Sequence, residues 1–365
     1  MDTAKDLIGR AASAMRRSLV GTAIGVLSAR LSGRQVAIAI GFSPWKEGFT
    51  RKLFRDDRLL FVDHPRTFRV ARRLLRGSPT RIVIWSLNDE AAGFRPSDFA
   101  GCEVLRLEDG FVRSLGRGID HTPPWSLCVD RTGLYFDAGR PSDLETLCND
   151  LPEEGRDDAA VENTLDRLRR SAISKYNLGV RSDTRSLPAR VPGSVLVLGQ
   201  VEDDQSILRN ANAISTNRGL LERAIADRPG CRILFKQHPD CLGSPCREGR
   251  VDVATLPEVE EIDPTVAIGD AIDAVDTVYT ISSLGGFEAL LRGKEVVTFG
   301  GPFYAGWGLT RDHVTFPRRR RNLTVLQLFH AAFILYPIYF DPRSGRRMTL
   351  VEVMDRFSRD MSGAD

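Results

Sequence analysis

Three adjacent carboxylates, Glu202, Asp203 and Asp204, follow the apolar run VLVLG of residues 195–199. An apolar run of this length predicts a buried strand, and open parallel sheets bind their ligands outside the carboxyl ends of the strands. A carboxylate at that place can attack a substrate as a nucleophile or remove a proton as a general base. A solvated turn is the other explanation of the same three acids.

Two other predicted strands in this half of the chain end on residues that could bind a phosphate. One ends on KQHP, residues 236–239, and the other on TISSLGG, residues 280–286. His238 could donate to a leaving phosphate or accept a proton. SSLGG combines hydroxyls with the free N–H groups and positive dipole end of a helix, and its glycines would let a ligand approach the backbone. The alternatives are a structural histidine and an ordinary serine N-cap.

The first half of the chain has another pair of acids at a predicted strand end. LEDGFVRS, residues 107–114, places Glu108 and Asp109 after an apolar run and Arg113 shortly beyond them. Carboxylates from two domains could divide proton transfer and covalent chemistry between them. An internal pair between Arg113 and a carboxylate, which would only fix the loop, is equally consistent with the sequence.

The elements that would position these residues alternate between strands and helices, which predicts parallel, doubly wound α/β sheets. The predicted strands are QVAIAIGF, RIVIWSL and CEVLRLED in the first half, and VLVLGQ, CRILFKQHP, DTVYTI and EVVTFGG in the second. Residues 123–137 predict a hairpin about the turn DRTG, and residues 323–340 predict a helix. Two such domains facing a cleft are typical of nucleotide-sugar transferases, which is an analogy of fold alone.

The 365 residues suit two domains of ordinary size. We expect a basic amphipathic segment at 1–34, a Rossmann-like domain at 35–185, and a second Rossmann-like domain with C-terminal helices at 191–365. The polar, proline-rich residues 186–194 are the expected linker.

Composition and missing motifs exclude several classes of protein. A net charge of +3 is too small to indicate a nucleic-acid partner. The six cysteines form no CxxC pair and predict reduced thiols in the cytoplasm. The sequence contains no P-loop, GxGxxG, HExxH, GxSxG or DxD motif. Their absence argues against P-loop NTPases, dinucleotide enzymes, zinc proteases, α/β-hydrolases and the usual metal-dependent glycosyltransferases.

The chain has no run of 18 apolar residues that could span a membrane. The basic N-terminal residues 5–31 could instead rest on an anionic membrane surface as an amphipathic helix. PRRRRN, residues 317–322, could add to that attraction. The alternatives are a helix docked on its own domain and a solvated basic face.

Several of these motifs, taken in order, resemble the KpsC-type family of capsular polysaccharide β-Kdo glycosyltransferases. They are LEDGFVRSLGRG, VLVLGQVEDDQSI, KQHPD, GFEALLRG, PFYAGWGLT and YPIYFDP, between about residue 100 and residue 342. GFEALLRG and PFYAGWGLT are the most specific, and the residues before 100 match loosely. KpsC-type proteins usually carry two transferase units in tandem, and this chain resembles one.

The resemblance implies a GT-B-like fold, in which a CMP-sugar-binding domain at 191–365 faces an acceptor-side domain at 35–185. It implies transfer of Kdo from CMP-Kdo to a lipid-linked Kdo or glycan acceptor, with retention of the β configuration. The nucleophile position falls on Asp204, with Asp203 as the adjacent alternative. The implied catalytic residues are Asp204, Asp203, Glu108, Asp109 and His238, with Glu108 and Asp109 near the sugar or acceptor. The implied donor-binding residues are Gln200, Lys236, His238, Pro239, Ser282, Ser283, Gly285, Gly286 and Glu288.

We therefore expect a cytoplasmic glycosyltransferase, peripheral at the inner face of the cytoplasmic membrane, that works beside capsule assembly proteins. Neither a metal nor another cofactor is expected, because helix N-termini and Ser, His and Lys groups can neutralise the CMP phosphate. Two alternatives are a non-catalytic capsule assembly or export factor, and a transferase of another CMP-activated sugar.

Overall fold

The computed structural model describes residues 13–15, 17–32, 34–78, 80–116, 120–152, 158–171, 173, 187, 189–210, 212–242 and 247–362. Its strands are β1 (Val36–Ile40), β2 (Arg58–Val62), β3 (Thr80–Trp85), β4 (Glu103–Asp109), β5 (Ser126–Asp130), β6 (Val195–Leu198), β7 (Ile233–Lys236), β8 (Val259–Glu261), β9 (Thr277–Thr280), β10 (Glu295–Thr298), β11 (Arg311–Asp312), β12 (Pro337–Phe340) and β13 (Arg347–Met348).

Its α-helices are α1 (Leu19–Ser32), α2 (Glu47–Leu53), α3 (Pro65–Leu74), α4 (Asn88–Ala91), α5 (Asp143–Asp150), α6 (Asp158–Arg170), α7 (Gln205–Asn210), α8 (Asn217–Asp227), α9 (Ile268–Asp273), α10 (Leu284–Leu291), α11 (Val325–Phe329) and α12 (Leu350–Ser362). Short 3-10 helices occur at Pro44–Lys46, Pro96–Phe99, Pro239–Cys241 and Val253–Thr255, and a π-helix at His330–Leu335.

The first sheet has the strand order β13-β12-β5-β4-β3-β1-β2. Strands β1 to β4 run parallel, whereas β5 runs antiparallel to both β4 and β12. Every residue of β1 is buried, because alternate side chains enter two different core clusters, Ile38 on one face and Ala37 and Ala39 on the other. A strand covered on both faces is a continuous apolar run, which is why the sequence predicted β1 correctly.

The second sheet is parallel throughout its described strands, with the order β11-β10-β9-β6-β7-β8. Helix α8 covers one face, where Leu220 and Leu221 join Val195 and Val197 of the central strand in one core. Because these strands run in the same direction, the carboxyl ends of β6, β7 and β9 lie at one edge of the sheet. That edge carries most of the residues that the sequence singled out.

The described residues form two compact units that divide the chain differently from the expected domains. One unit contains those of Met1–Thr132 and Tyr336–Asp365 with Ile173, and the other those of Gly133–Ala172 and Gly179–Leu335. The units change at residues 132–133 and 335–336, whereas the expected domain boundary lay at residues 185–191. The chain returns to the first sheet when β12 pairs with β5, and strand pairing over such a distance leaves no local trace in the sequence. Residues 174–186 and 188, which include part of the expected linker, lie outside the described residues.

The basic run 317–322 holds the start of the second unit in place. The Arg318 Nε donates to Glu145 Oε1 at 2.6 Å, and the Asn149 Nδ2 donates to the Arg318 carbonyl at 2.9 Å. Arg319 is 9% exposed, and its guanidinium donates to the Pro302 carbonyl at 2.7 Å. Arg319 is therefore not among the cations that this run presents to solvent.

Two predicted elements of the sequence take another form. Residues 132–139 form turns and bends rather than the second strand of a hairpin, because β5 pairs with β4 and β12 instead. The helix predicted at 323–340 ends at Leu335, and Pro337 begins β12. Strands β2, β8, β11 and β13 were missed, since β8, β11 and β13 are two or three residues long and largely exposed.

The described part of the expected N-terminal segment includes α1, which packs against α3. Val26 and Ala29 of α1 share a core with Phe68 and Leu75. The alternative of a helix docked on its own domain therefore holds for this face of α1. None of the described helices combines the length and the hydropathy that crossing a membrane requires.

Candidate active site

Gln200 joins the carboxyl ends of β6 and β9. Its Oε1 accepts from the backbone N–H of Ser282 at 2.9 Å and from the Thr280 hydroxyl at 3.2 Å. Its Nε2 donates to the Ser282 hydroxyl at 3.2 Å. Gln200 is 6% exposed, and buried polar groups that are mutually hydrogen-bonded fix one another's positions. The structure therefore brings together two strand ends that the sequence predicted to meet.

A buried asparagine, Asn217, holds the loop that follows β6. Its side chain accepts from the Gln200 N–H at 2.9 Å and donates to the Gln200 and Gly249 carbonyls at 2.7 and 2.6 Å. Its own N–H donates to Glu202 Oε1 at 2.7 Å, so Glu202 is a structural acid of this loop. Nothing local in the sequence marks Asn217, because an asparagine just after the Thr216 N-cap resembles any polar residue of a first helical turn.

The other two acids of this loop have different partners. Asp203 Oδ1 lies 2.8 Å from Arg247 Nη2, whereas Asp204 Oδ2 lies 4.0 Å from Arg247 Nη1. Asp204 Oδ1 accepts from both the backbone N–H and the hydroxyl of Ser206, at 2.9 and 2.8 Å. Both carboxylates are about half exposed. Asp203 therefore lies closer to Arg247 than Asp204 does, and Asp204 is held at the start of α7 with one oxygen fixed.

The two serines before α10 have distinct contacts. The Ser282 hydroxyl donates to the Ser206 carbonyl at 3.1 Å, which ties this turn to the loop of Asp204. Ser283 is the N-cap of α10, and its hydroxyl accepts from the Gly285 N–H at 3.2 Å. The ordinary-cap alternative is thus what the structure shows for Ser283. A hydroxyl both accepts and donates, so the cap leaves the Ser283 proton available to another acceptor.

Gly285 and Gly286 serve the packing of α10. A Cβ on Gly286 would overlap the Tyr304 hydroxyl, and a Cβ on Gly285 would lie 2.7 Å from Ile268 Cδ1 and 2.8 Å from Leu198 Cδ1. Protein atoms therefore fill the space that we expected these glycines to leave for a ligand. This corrects the reason for the glycines, since they let the helix approach its neighbours closely.

The strand end after β7 carries His238 and Pro239, which begin a 3-10 helix. The His238 Nδ1 accepts from the Asp240 N–H at 3.2 Å. In a neutral ring this arrangement puts the proton on Nε2, the nitrogen that can then donate. Gln237 between strand and helix is buried, and its Nε2 donates to the Val251 carbonyl at 2.6 Å.

Lys236, the last residue of β7, is a half-buried cation. Burial lowers the pKa of its ammonium, and the carboxylate of Asp263 opposes that shift. A desolvated ammonium is stabilised when an anion comes close to it. Lys236 therefore favours the binding of an anion at this edge of the sheet.

Glu288 lies on the second turn of α10 and carries a carboxyl with a displaced pKa. Desolvation raises that pKa from 4.5 to about 7, and the positive charge of Arg292 offsets only part of the shift. Near neutral pH the group is therefore shared between its neutral and ionised forms. It can donate or accept a hydrogen bond there.

The acids of the first unit, at the end of β4, are held by an internal ion pair. Asp109 Oδ2 lies 2.7 Å from the Nε of Arg113, which is 1% exposed. Arg113 Nη1 also donates to the Ser114 hydroxyl at 2.7 Å, and the Asp109 N–H donates to Glu108 Oε1 at 2.9 Å. The structure thus shows the loop-fixing pair that was one of the two alternatives for Arg113.

Lys46, which no local sequence pattern indicated, lies beside these acids. The Nζ of Lys46 sits 3.4 Å from the centroid of the Trp85 ring, a cation–π arrangement. Burial lowers the pKa of Lys46 to about 8, as does Arg113, while Glu108 and Asp109 raise it. Lys46 lies far from Glu108 in sequence, so no local pattern joins them.

Chemically, the edge of the second sheet can bind an anion beside a carboxylate. Ser283, Lys236 and His238 supply donors and positive charge, and Asp204 supplies an oxygen that Ser206 orients. The edge of the first sheet separately holds Glu108 and Asp109.

Sequence comparison relates the chain to proteins of capsule synthesis. A family model described as capsule polysaccharide biosynthesis protein matches residues 82–177 and 157–339. The lipopolysaccharide-processing protein LpsZ of Rhizobium meliloti is 37% identical over 318 residues, which are 84% of this chain and 70% of LpsZ. The capsule polysaccharide modification protein LipA of Neisseria meningitidis serogroup A is 37% identical over 310 residues. This match covers 84% of the chain but 43% of LipA, so the chain spans less than half of that relative.

Two solved structures of KpsC from Thermosulfurimonas dismutans share the fold. One, described as a β Kdo 2,4 transferase, superposes with a TM-score of 0.76 at 32% identity, over 88% of this chain and 97% of that one. The other, described as a β Kdo 2,7 transferase, gives a TM-score of 0.70 at 31% identity, over 88% and 98%. The predicted GT-B-like α/β fold class is confirmed. On its sequence and on its fold, the chain belongs to the capsule polysaccharide biosynthesis family and is of the KpsC type.

Proposed function

We propose that this protein is a single-unit β-Kdo glycosyltransferase of capsular polysaccharide biosynthesis. It transfers Kdo from CMP-Kdo to a lipid-linked Kdo or glycan acceptor at the inner face of the cytoplasmic membrane. The observation that carries the proposal is the likeness to the two KpsC transferase chains, which extends over 97% and 98% of their lengths. The chain is nearly equally similar to the 2,4 transferase and to the 2,7 transferase. The similarity therefore supports Kdo as the sugar, and the linkage has to be measured.

The donor phosphate of CMP-Kdo lies, in this proposal, at the start of α10. The helix N-terminus and the Ser283 hydroxyl donate to its oxygens, and Lys236 and His238 add charge and a further donor. Supporting this, burial has already lowered the pKa of Lys236, so an approaching phosphate restores the stability of the ammonium. These groups neutralise the leaving CMP without a bound metal, and transferase activity should therefore persist in excess EDTA.

Asp204 is the proposed nucleophile of a retaining reaction in two displacements. Its carboxylate attacks the anomeric carbon of Kdo, the bond to the CMP phosphate breaks, and CMP leaves with the electron pair. The acceptor hydroxyl then displaces the carboxylate and passes its proton to a general base, as in retaining glycosidases. Two hydrogen bonds from Ser206 orient Asp204, whereas Arg247 lies 2.8 Å from Asp203 and 4.0 Å from Asp204, which favours Asp204 over Asp203.

The direct test supplies the purified full chain with CMP-Kdo, generated in situ, and a synthetic lipid-linked Kdo acceptor. We expect a product heavier by one Kdo residue in the mass spectrum, and NMR of the product would give the linkage and its configuration. If product formed only with another CMP-activated sugar, that sugar nucleotide would be the donor in place of CMP-Kdo. Glycan binding without any product would instead make the chain an assembly or export factor.

A second candidate is transfer to a glycan of lipopolysaccharide type. It is favoured by the 37% identity to the lipopolysaccharide-processing protein LpsZ. Offering the enzyme a capsule-type and a lipopolysaccharide-type acceptor at equal concentration separates the two, because the true acceptor should give the higher kcat/KM.

A further inference from the structure

Helix α1 is apolar on two opposite faces. Its inward face, with Val26 and Ala29, is buried against the first unit. Its outward face carries a stripe of large apolar side chains at a spacing of four, three and four residues. The stripe consists of Val20, Ile24, Leu27 and Leu31, which are 67%, 60%, 60% and 89% exposed. A helix that is apolar all round is normally buried on every side, so the outward stripe is suited to a surface that covers it.

The neighbouring helix α3 presents positive charge on its outward side. Arg66 and Arg73 are exposed, and so are Arg69 and Arg76. Residues 64–79 contain no Asp or Glu, and Arg69 forms an ion pair with Asp98 at 3.8 Å. Because α1 and α3 pack side by side, an apolar stripe and an arginine row lie on adjacent helices of one surface.

We propose that this surface docks the protein on a bilayer that contains anionic phospholipid. The stripe of α1 enters the boundary between headgroups and acyl chains, and the arginines of α3 bind headgroup phosphates, as in interfacial amphipathic helices. Charge complementarity selects this occupant, because a symmetric dimer through the same face would bring the arginine rows of both copies into one interface. This surface would account for the membrane location in the proposed function, and its binding to a bilayer can be measured without transferase activity.

The test measures binding of the full chain to vesicles of phosphatidylcholine, with and without phosphatidylglycerol, by co-sedimentation. We expect binding that requires phosphatidylglycerol and weakens as salt rises, since salt screens exposed charges. Replacing two stripe residues, Ile24→Gln with Leu27→Gln, should weaken binding at least about tenfold, because their side chains no longer enter the interface. Arg66→Gln with Arg73→Gln should remove most of the phosphatidylglycerol dependence.

A matched control changes two exposed leucines of the second unit, Leu208→Gln with Leu335→Gln, whose exposures are 62% and 47%. That variant should bind vesicles like the wild type. Equal binding of the stripe variant and the wild type, with both folded by circular dichroism, would overturn the proposal. So would a wild-type dimer in sedimentation analysis that the stripe variant abolishes without vesicles present.

Failure of this inference differs from failure of the proposed function. The stripe variant should transfer Kdo to a lipid-free acceptor at the wild-type rate and lose activity only toward an acceptor embedded in vesicles. An inactive wild type that still binds anionic vesicles would contradict the transferase proposal and leave the docking surface standing.

Discussion

At the scale of single residues, Asp204 has to combine two tasks. One oxygen of its carboxylate accepts two hydrogen bonds from Ser206 at the start of α7, and the proposed reaction needs the other oxygen as nucleophile. An amide in its place keeps the size and can still accept from Ser206, but it has no charge with which to attack. Asp204→Asn therefore separates the structural task from the chemical one.

We expect Asp204→Asn to lower kcat by several orders of magnitude while the affinity for CMP, measured by calorimetry, changes little. Asp203→Asn is the matched control and should be much milder, because Asp203 is ion-paired to Arg247. A Kdo adduct on the peptide that contains residues 195–209, trapped with donor alone, would identify the intermediate directly. Full activity of Asp204→Asn would show that Asp204 is not the nucleophile.

The displaced pKa of Glu288 leads to a second prediction for a single residue, which concerns the pH dependence of stability. Desolvation raises its pKa in the folded protein from 4.5 to about 7. The folded state therefore holds more protons than the unfolded state in that range, and the contribution of Glu288 to stability falls as pH rises from 4.5 to 7. In Glu288→Gln this loss should vanish. The difference in unfolding free energy between the variant and the wild type should therefore shift in favour of the variant as pH rises.

Urea denaturation at several pH values between 4.5 and 8 measures the effect. The exposed Glu258→Gln is the matched control and should keep the wild-type pH dependence. Parallel curves for Glu288→Gln and the wild type would show that Glu288 is not desolvated in the folded protein.

At the scale of elements, the position of α10 depends on glycines that have no side chain where the helix contacts its neighbours. Tyr304 donates from its hydroxyl to the Ser283 carbonyl at 2.5 Å, just where a Cβ on Gly286 would lie. The tyrosine thus supports the N-cap that the proposed phosphate site requires. A methyl group at position 286 would push the helix and the tyrosine apart.

Gly286→Ala should lower the free energy of unfolding by about 1–3 kcal/mol, the usual cost of overpacking, and should weaken CMP binding. Gly48→Ala is the control, because a Cβ there meets nothing within 4 Å and alanine favours a helix. Adding Tyr304→Phe to Gly286→Ala should recover part of the loss, since it removes the overlapping hydroxyl. Additive losses in this double-mutant cycle would contradict the packing explanation.

At the scale of the whole molecule, each unit contains chain segments that are distant in sequence. In the second unit Glu145, 8% exposed, lies 2.6 Å from Arg318 Nε and 3.5 Å from Arg319 Nε. These contacts, together with those of Asn149, hold residues 133–152 to the body of that unit. The basic run is thus part of the architecture.

Arg319→Met should therefore lower the free energy of unfolding by about 3 kcal/mol, as expected when one partner of a buried ion pair is removed. Arg320→Met, at an exposed neighbour, should have little effect, and chemical denaturation compares the two. Vesicle binding should stay unchanged in Arg319→Met, because its guanidinium is not presented to the surface. If both variants were equally stable, Arg319 would not be a buried structural residue and the basic run would be a solvated surface.

Much of the fold was predictable because the strands of the two parallel cores are buried on both faces. VLVLG and VAIAIGF are apolar without interruption for that reason, and the alternation of such runs with helices predicted two parallel sheets. The motifs at the strand ends were visible for a related reason, since polar residues that directly follow a buried strand stand out against it. The convergence of Gln200 and Ser282 follows from the parallel direction of β6 and β9 together with their adjacency in the sheet.

Tertiary structure alone decided the rest, because the interactions concerned join residues that are distant in the chain. Nothing local in YPIYF indicates that β12 pairs with β5, which moves the C-terminal residues into the first unit. Burial of Arg319 and Asn217 depends on what surrounds them, so a basic run and a capping residue could not be recognised as structural. The pKa values of Lys46 and Glu288 are displaced first of all by desolvation, and desolvation exists only once the chain has folded.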